Sequence, residues 1–249
     1  MKIIVPSIGR AKIQCPTAKW LVNTKREVLF AVHTDEAEDY KKAYPWANVW
    51  VIPDNYRHHD GKLRKYFLDK LPEPYFSVDD DVRLRLVTLT HVDQMFDILE
   101  NHINSGVTMA GIGQQLFSNA SSEKAELING DVLAVRNKFA SLVYAINPIP
   151  YSNCDLPRLR IYGDIALVIH AIQYGGGSVV TYQATHSNAS PEIGGCNSWR
   201  TKQIIIDDLQ AICAMYPDIC TIRETEATTH SQYIGVGLRV AWSKIKRLS

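Results

Sequence analysis

The chain has 249 residues, of which 46% are hydrophobic and 21% are charged. This composition is typical of a globular protein and excludes disorder as the main state of the chain. The 27 Lys and Arg residues nearly balance the 26 Asp and Glu residues, for a net charge of +1. Any contact with a polyanion would therefore depend on local basic patches, because the net charge provides no general attraction.

The sequence also argues against a membrane-spanning or disulfide-built protein. No apolar run reaches the roughly 20 residues needed to cross a bilayer, and the N-terminal apolar run is too short for a signal peptide. The five cysteines are scattered and form no CxxC pair, which argues against a disulfide framework and a structural zinc site. We expect a reduced, cytoplasmic protein with no membrane partner and no obligate protein partner.

Strand-like and helix-like segments alternate in the first part of the chain. Apolar, β-branched runs predict strands at residues 2–5, 27–33 and 49–52, and the acidic stretch 35–44 predicts a helix. Nearly continuous apolar strands separated by helices indicate a parallel sheet that is buried on both faces. A further helix is expected from Asp60, which can cap it, with an apolar stripe formed by Leu63, Tyr66, Phe67 and Leu71.

The rest of the chain predicts a mixed set of elements. A strand is expected at 75–78, and Thr90 with Asp93 resembles a capping box at the start of the next helix. Further elements are expected in chain order: strands at 107–112 and 127–135, a helix from Asp164, a strand at 178–185 and a helix over 205–216. Because no repeat or linker interrupts the chain, we expect one α/β domain over residues 1–249, with a mixed, mostly parallel sheet flanked by helices.

The strongest local signal is the aspartate triplet, Asp79, Asp80 and Asp81, which directly follows an apolar strand. Adjacent carboxylates repel each other and need a compensating cation, and ligands bind at the carboxyl ends of strands in open α/β sheets. In an extended strand Asp79 and Asp81 lie on one side and Asp80 on the other. Asp79 and Asp81 are therefore the expected ligands of a divalent ion shared with a diphosphate, and Asp80 could hold the ribose. A solvated acidic turn is the plainer alternative.

Two basic segments could hold phosphates. The turn over residues 6–10 follows the first strand and brings backbone amides and the Arg10 guanidinium near an anion or a base. Lys62 and Arg64 lie near the start of a helix, where the helix dipole adds positive potential. Pro and Gly also end many strands for steric reasons alone, and a basic helix face can simply be solvated.

Three later features complete the candidate set. Asp164 begins an apolar helix, where it could be an N-cap or a general base acting on an acceptor hydroxyl. His186 closes a strand, and a neutral imidazole there could complete a metal shell. The small-residue loop 187–198 leads to Trp199 and Arg200 and is typical of a lid that closes over phosphates.

Together these residues resemble the GT-A class of nucleotide-sugar glycosyltransferases. The resemblance covers residues 1 to about 200 and rests on the turn after the first strand, the basic helix, the Asp-x-Asp motif at residues 79–81, and Asp164 followed by His186. It implies a Rossmann-type GT-A fold with a nucleotide-binding half at 1–85 and an acceptor-binding half with a lid at 86–249. It also implies that Mn²⁺ or Mg²⁺ is bound by Asp79, Asp81 and His186, and that Asp164 faces the acceptor.

More narrowly, the chain resembles the TET-associated glycosyltransferases of phages, which attach sugars to hydroxymethylated pyrimidines in DNA. This likeness rests on residues 6–10, residues 78–82 and Gly163 with Asp164. It implies a nucleotide-sugar donor, here expected to be a UDP-sugar, a 5-hydroxymethylpyrimidine in phage DNA as the acceptor, and the host cytoplasm as the location. The residues expected to hold the donor are Pro6, Ser7, Gly9, Arg10, Lys62, Arg64, Asp79, Asp80, Trp199 and Arg200.

Several alternatives stay open at this point. The acceptor could be a polysaccharide, a lipid-linked sugar or a protein, since the near-neutral charge departs from what a DNA enzyme leads one to expect. The aspartate triplet could instead serve a nuclease or a nucleotidyltransferase, or the chain could bind a sugar nucleotide without catalysis. If the reaction inverts the anomeric centre, Asp164 would be the base; if it retains the configuration, Asp164 would orient the acceptor.

Overall fold

The computed structural model describes residues 1–13, 15–114, 126–188, 199–224 and 235–248. Residues 189–198, which make up most of the expected lid loop, lie outside the described residues. None of the described helices is long and apolar enough to cross a membrane.

A mixed sheet of ten strands is the centre of the described fold. The strands are β1 (Ile3–Pro6), β2 (Val28–His33), β3 (Asn48–Ile52), β4 (Tyr75–Val78), β5 (Val82–Leu86), β6 (Met109–Gln114), β7 (Glu126–Ile128), β8 (Asp131–Arg136), β9 (Val143–Ile146) and β10 (Ser178–Asn188). Their order is β3-β2-β1-β4-β9-β6-β10-β8-β7, and β5 pairs with the C-terminal end of β10. Seven of these ten described strands run in one direction. The predicted mixed, mostly parallel α/β sheet is confirmed, and it is consistent with a Rossmann-like fold.

Helices cover both faces of this sheet. Those in the described residues are α1 (Ala18–Leu21), α2 (Ala37–Ala43), α3 (Asp60–Lys70), α4 (Val92–Asn104), α5 (Gly163–Tyr174) and α6 (Lys202–Met215). A separate antiparallel hairpin, β11 (Cys220–Glu224) and β12 (Val236–Val240), follows α6 and packs against it.

The alternation of side chains along the strands produces two apolar cores, one on each face. On the α4 face, Ile3 and Val5 of β1 pack with Met95 of α4, whereas Ile4 faces the opposite core with Leu167 of α5. We call the second side the α5 face. Successive residues of a regular strand point to opposite faces, so residues two apart share a face wherever the strand has no register shift.

Two helices begin differently from the prediction. Asp60 is the first residue of α3 and not its cap, because Nδ1 of His59 accepts the N–H of Lys62 at 3.3 Å. The cap of α4 is His91, and its capping-box partner is Gln94, which accepts the N–H of His91 at 3.1 Å. His is not among the residues usually preferred as caps, so composition favoured the neighbouring Asp and Thr.

The predicted strand at 127–135 is two strands, β7 and β8. Asn129 and Gly130 connect them with φ values of 52° and 84°, and both lie in the left-handed region. Asn-Gly is the sequence that most favours a two-residue hairpin turn, so the signal for this break was present in the chain.

Candidate functional site

The carboxyl ends of β1 and β4 lie side by side at a reversal in the strand order. From β1 the sheet continues to β2 and β3 on one side, and the chain then returns to place β4 on the other. At such a switch point the connections leave in opposite directions, and the crevice outside the strand ends binds ligands. The β1 turn (residues 6–10) and the aspartate triplet both border this crevice, as their positions after β1 and β4 require.

Asp80 connects the β1 turn to the aspartate triplet. Its Oδ2 accepts the hydroxyl hydrogen of Ser7 at 2.5 Å, the N–H of Ile8 donates to the same carboxylate, and Nε of Arg10 lies 3.6 Å from Oδ1. Burial raises the pKa of Asp80 to about 6, while Arg10 and Ser7 act in the opposite direction. With an exposed fraction of only 8%, this side chain is buried and holds the β1 turn in place.

Helix α2 and the residue before it support the same turn. The Arg10 N–H donates to the Tyr40 hydroxyl at 3.0 Å, and the Gly9 N–H donates to Oε1 of Glu36 at 2.5 Å. Because Ser7 gives its one hydroxyl hydrogen to Asp80, the Tyr40 hydroxyl donates to Ser7 Oγ across 2.6 Å. The amides of the β1 turn, which the sequence suggested for an anion, are therefore already bonded within the protein. The Arg10 side chain is itself 9% exposed and lies between the carboxylates of Asp80 and Asp81, at 3.6 and 4.0 Å.

Asp79 faces the α5 side of the sheet and joins a cluster around Arg64. Nε of Arg64 donates to Oδ2 of Asp60 at 2.7 Å, and its Nη1 donates to the hydroxyl of Tyr144. Burial opposes the charge of this guanidinium, but Asp60, Tyr144, Asp79 and Asp164 together hold its pKa well above the usual value. Three carboxylates from three different elements thus surround one arginine.

The carboxylates at the crevice are poorly neutralised. Burial raises the pKa of Asp79 to about 8 and that of Asp164 to about 6, with Arg64 lowering both. Burial also raises the pKa of Asp81, against the lowering effects of Arg10 and Arg200. With Asp60 and Asp80 included, the site has five carboxylates. They share the guanidinium groups of Arg10, Arg64 and Arg200, so the described site is short of positive charge.

Trp199 and Arg200 lie at the same crevice. Arg200 is close enough to Asp81 and Asp164 to lower the pKa of both. The Trp199 ring lies under the guanidinium groups of Arg160 and Arg200, at 5.6 and 5.7 Å. Of the two residues that follow the expected lid loop, Arg200 is thus brought to Asp81 and Asp164, and Trp199 lies beside Arg200.

Lys62 and His186 are not brought to these carboxylates. Lys62 is exposed, and its charge acts on His59. His186 is 1% exposed and lies directly across β5–β10 from Leu84, which packs on the α4 face. Residues opposite each other in an antiparallel pair share a face, so His186 points into the α4 core, whereas Asp79 lies beside Tyr144 on the α5 face. Burial lowers the pKa of His186 to about 4.

A divalent ion fits the charge of this site. No three His, Cys, Asp or Glu side chains among the described residues are arranged to hold a metal ion by themselves. Mg²⁺ commonly binds through one or two carboxylates and takes its remaining ligands from water and substrate phosphates. Asp79 and Asp81 supply such carboxylates, and the shortage of positive charge around them matches a cation.

Sequence reasoning missed several residues that build the site. Asp60 was assigned only a capping role, and Tyr40, Tyr144 and Asp208 were not considered. Asp208 had a readable signal, because it stands between Ile205 and Leu209 on the apolar stripe of α6. An Asp at a core position is rarely buried without hydrogen-bond partners, so its presence there indicates a specific contact.

A cavity of about 440 Å³ lies elsewhere, at the C-terminal ends of α5 and α6, where His170, Tyr174 and Tyr216 line it. None of the predicted site residues lines this cavity. The switch-point crevice is the candidate site because it gathers the buried, perturbed carboxylates.

No protein-family model matches this chain, and no curated protein matches it. The functional interpretation therefore rests on the geometry of the crevice and on the motifs of the sequence.

Proposed function

We propose that this protein is a metal-dependent glycosyltransferase of the GT-A type that moves a sugar from a nucleotide-sugar donor to a hydroxyl acceptor. The observation that carries the proposal is the meeting of Asp79, Asp81 and Asp164 at the switch-point crevice, beside Arg10 and Arg200. This arrangement combines ligands for a metal–diphosphate pair with a separate carboxylate at the expected position of an acceptor.

The donor diphosphate lies in the crevice between the β1 turn and the aspartate triplet. Asp79 and Asp81 hold Mn²⁺ or Mg²⁺, which when bound neutralises the charge that develops on the leaving diphosphate. Arg10 and Arg200 contribute fixed positive charge on the Asp81 side, and Trp199 presents a planar surface to the base or the sugar. A UDP-sugar is the expected donor.

Asp164 acts on the acceptor. Its raised pKa, about 6 as a result of burial, makes it a stronger base than an ordinary carboxylate while leaving it mostly ionised at neutral pH. In an inverting reaction it takes the proton of the attacking hydroxyl; in a retaining reaction it orients that hydroxyl. Arg64 holds Asp60, Asp79 and Asp164 in one cluster and is thereby committed to carboxylates rather than to phosphate.

The acceptor is a 5-hydroxymethylpyrimidine in phage DNA, and the reaction takes place in the host cytoplasm. This part of the proposal is supported by the sequence resemblance of residues 6–10, 78–82 and 163–164. A modified base within a duplex has to be flipped out of the stack, or its hydroxymethyl group reached through the major groove.

A donor screen tests the proposal. The protein, Mn²⁺ and a panel of sugar nucleotides are incubated with duplex DNA containing hydroxymethylcytosine or hydroxymethyluracil, and the digested nucleosides are analysed by mass spectrometry. We expect a gain of one sugar mass on the modified base, lost in Asp79→Ala and kept in Asp69→Ala, an exposed acid of α3 that pairs with Lys65.

The other outcomes separate the alternatives. Donor hydrolysis with unmodified DNA would reject the DNA acceptor and leave glycosyl transfer to another hydroxyl. Cleaved or extended DNA would indicate a nuclease or a nucleotidyltransferase. Failure of every donor to bind in the presence of metal would reject the glycosyltransferase itself.

A further inference from the structure

Residues 159–162 connect three helices that build the site. The carbonyl groups of Leu159 and Arg160 accept the N–H groups of Gly61 and Asp60, at 3.1 Å each, and so complete the start of α3. The same segment then leads directly into α5, which begins at Gly163 and carries Asp164.

The N–H groups of this segment are bound by the third helix. Oδ1 of Asp208 in α6 accepts the N–H of Arg160 at 2.6 Å, and Oδ2 accepts the N–H groups of Ile161 and Tyr162 at 2.7 and 3.0 Å. Asp208 is 3% exposed. Burying a carboxylate is costly unless hydrogen bonds replace its water, and three bonds to an anionic acceptor are strong as well as directional. They fix the backbone of three consecutive residues relative to α6.

The starts of α3 and α5 are closely packed against each other and against the segment that precedes α5. A Cβ atom on Gly163 would lie 2.6 Å from Oδ2 of Asp60, and one on Gly61 would lie 2.0 Å from the Leu156 carbonyl oxygen. The two helix starts are therefore in direct contact through glycine. A displacement of residues 160–162 would move Asp164 relative to Arg64 and Asp60.

The segment also reaches the Trp199 side of the crevice. The guanidinium of Arg160 lies 5.6 Å from the centre of the Trp199 ring. The nucleotide side, in contrast, is held by a separate set of bonds among Ser7, Tyr40 and Asp80.

We propose that Asp208 is a positioning residue for the transfer reaction, which holds residues 160–162 so that Asp164 meets the acceptor and Arg160 supports Trp199. The role rests on the proposed function, since it acts through Asp164. It predicts that loss of the Asp208 carboxylate impairs the chemical step much more than donor binding.

The test compares Asp208→Asn with Asp207→Asn. The first variant keeps the size of the side chain but replaces one accepting oxygen by an NH₂ group that meets a backbone N–H. The second changes the neighbouring exposed acid, which is bonded to Gln203 at 2.7 Å within α6. We expect kcat of Asp208→Asn to fall at least tenfold with the donor KM within twofold of the wild type, and Asp207→Asn to be unchanged.

Hydrogen exchange provides a readout that does not depend on activity. Amides 160–162 are expected to exchange faster in Asp208→Asn and at the wild-type rate in Asp207→Asn. If Asp208→Asn does not fold, Asp208→Glu keeps both accepting oxygens at a shifted position, and the same reduction of kcat without a change in donor KM is expected, to a smaller extent.

Three results would overturn the positioning role. Faster exchange with an unchanged kcat would show that the segment need not be held for transfer. A parallel loss of kcat and donor affinity would indicate general destabilisation. If the wild type transfers no sugar while the exchange difference is seen, the proposed function has failed and Asp208 is structural only.

Discussion

The hydroxyl of Ser7 donates to Oδ2 of Asp80 at 2.5 Å and joins the turn after β1 to the aspartates after β4. This bond divides the aspartate triplet by function. The middle acid is used to hold the protein together, while Asp79 and Asp81 remain at the crevice. The triplet follows the end of β4 at Val78 and forms a turn over Asp80 and Asp81, and the division follows from the different partners of the three side chains.

Asp80→Ala is expected to destabilise the protein by about 3–5 kcal/mol, because it leaves Arg10 and the Ser7 hydroxyl buried without their partner. Asp69→Ala removes an exposed acid and should cost less than about 1 kcal/mol. Urea unfolding of both variants measures the difference. Equal stabilities would mean that Asp80 does not hold the β1 turn.

Asp79 makes the stability of the metal-free protein depend on pH. An Asp of an unfolded chain titrates near 3.8, whereas burial raises the pKa of Asp79 to about 8 in the fold, where Arg64, Asp60 and Asp81 surround it. Between these values the folded chain binds more protons at this site than the unfolded chain, so its contribution to stability falls as the pH rises from about 4 to about 8.

Asp79→Asn removes this loss of stability with rising pH. Without metal, the Asn variant should match the wild type at pH 4 and melt roughly 10–20 °C higher at pH 8. Saturating Mn²⁺ should raise the melting temperature of the wild type at pH 8 and leave that of the variant unchanged. Thermal unfolding across this pH range checks both points. A wild type that gains stability from pH 4 to 8 relative to the variant would contradict them.

His186→Leu distinguishes the metal ligand predicted from sequence from a core residue. His186 lies on the α4 face, and burial lowers its pKa from 6.5 to about 4. Because the folded protein disfavours protonation of His186, wild-type stability falls as the pH drops from about 6.5 to about 4. The Leu variant should lack this pH-dependent contribution to stability. We expect Mn²⁺ affinity within about twofold of wild type by calorimetric titration. A tenfold loss would restore His186 as a ligand.

Replacing Arg64 and replacing Lys62 should have clearly different effects on stability, although the sequence predicted that both residues hold the donor. Arg64→Met leaves Asp60, Asp79 and Asp164 without their shared cation and should cost about 3–5 kcal/mol of unfolding free energy in urea. Lys62→Met should change the unfolding free energy by less than about 0.5 kcal/mol. A tenfold rise in donor KM for Lys62→Met, with stability unchanged, would return Lys62 to the phosphate site.

Local patterns predicted the elements with strong apolar periodicity. β1 to β4 and the apolar faces of α3 to α6 follow from such runs, and the crevice follows from the rule for strand ends. β5 was missed because it alternates Arg83 and Arg85 with apolar residues immediately after three aspartates. β9 was missed although Asn147 and Pro148 mark its end, because its apolar run is only four residues long.

The rest of the site depends on contacts between distant segments. Asp60 and Asp164 meet because Gly61 and Gly163 allow two helix starts to touch. The sequence alone does not distinguish a glycine needed for such a contact from a glycine that ends a helix or a strand. The face on which His186 lies depends on the register shift in β10 between Thr181 and Thr185. The regular alternation of side chains along a strand does not predict that shift.

Calorimetric titration of UDP into the protein, with and without Mn²⁺, tests directly whether the crevice holds a metal–diphosphate pair. The wild type and Asp69→Asn should bind UDP in the presence of Mn²⁺, with at least tenfold weaker binding when the metal is removed or when Asp79 is replaced by Asn. UDP binding that is indifferent to both Mn²⁺ and Asp79→Asn would contradict a metal–diphosphate site between the β1 turn and the aspartate triplet.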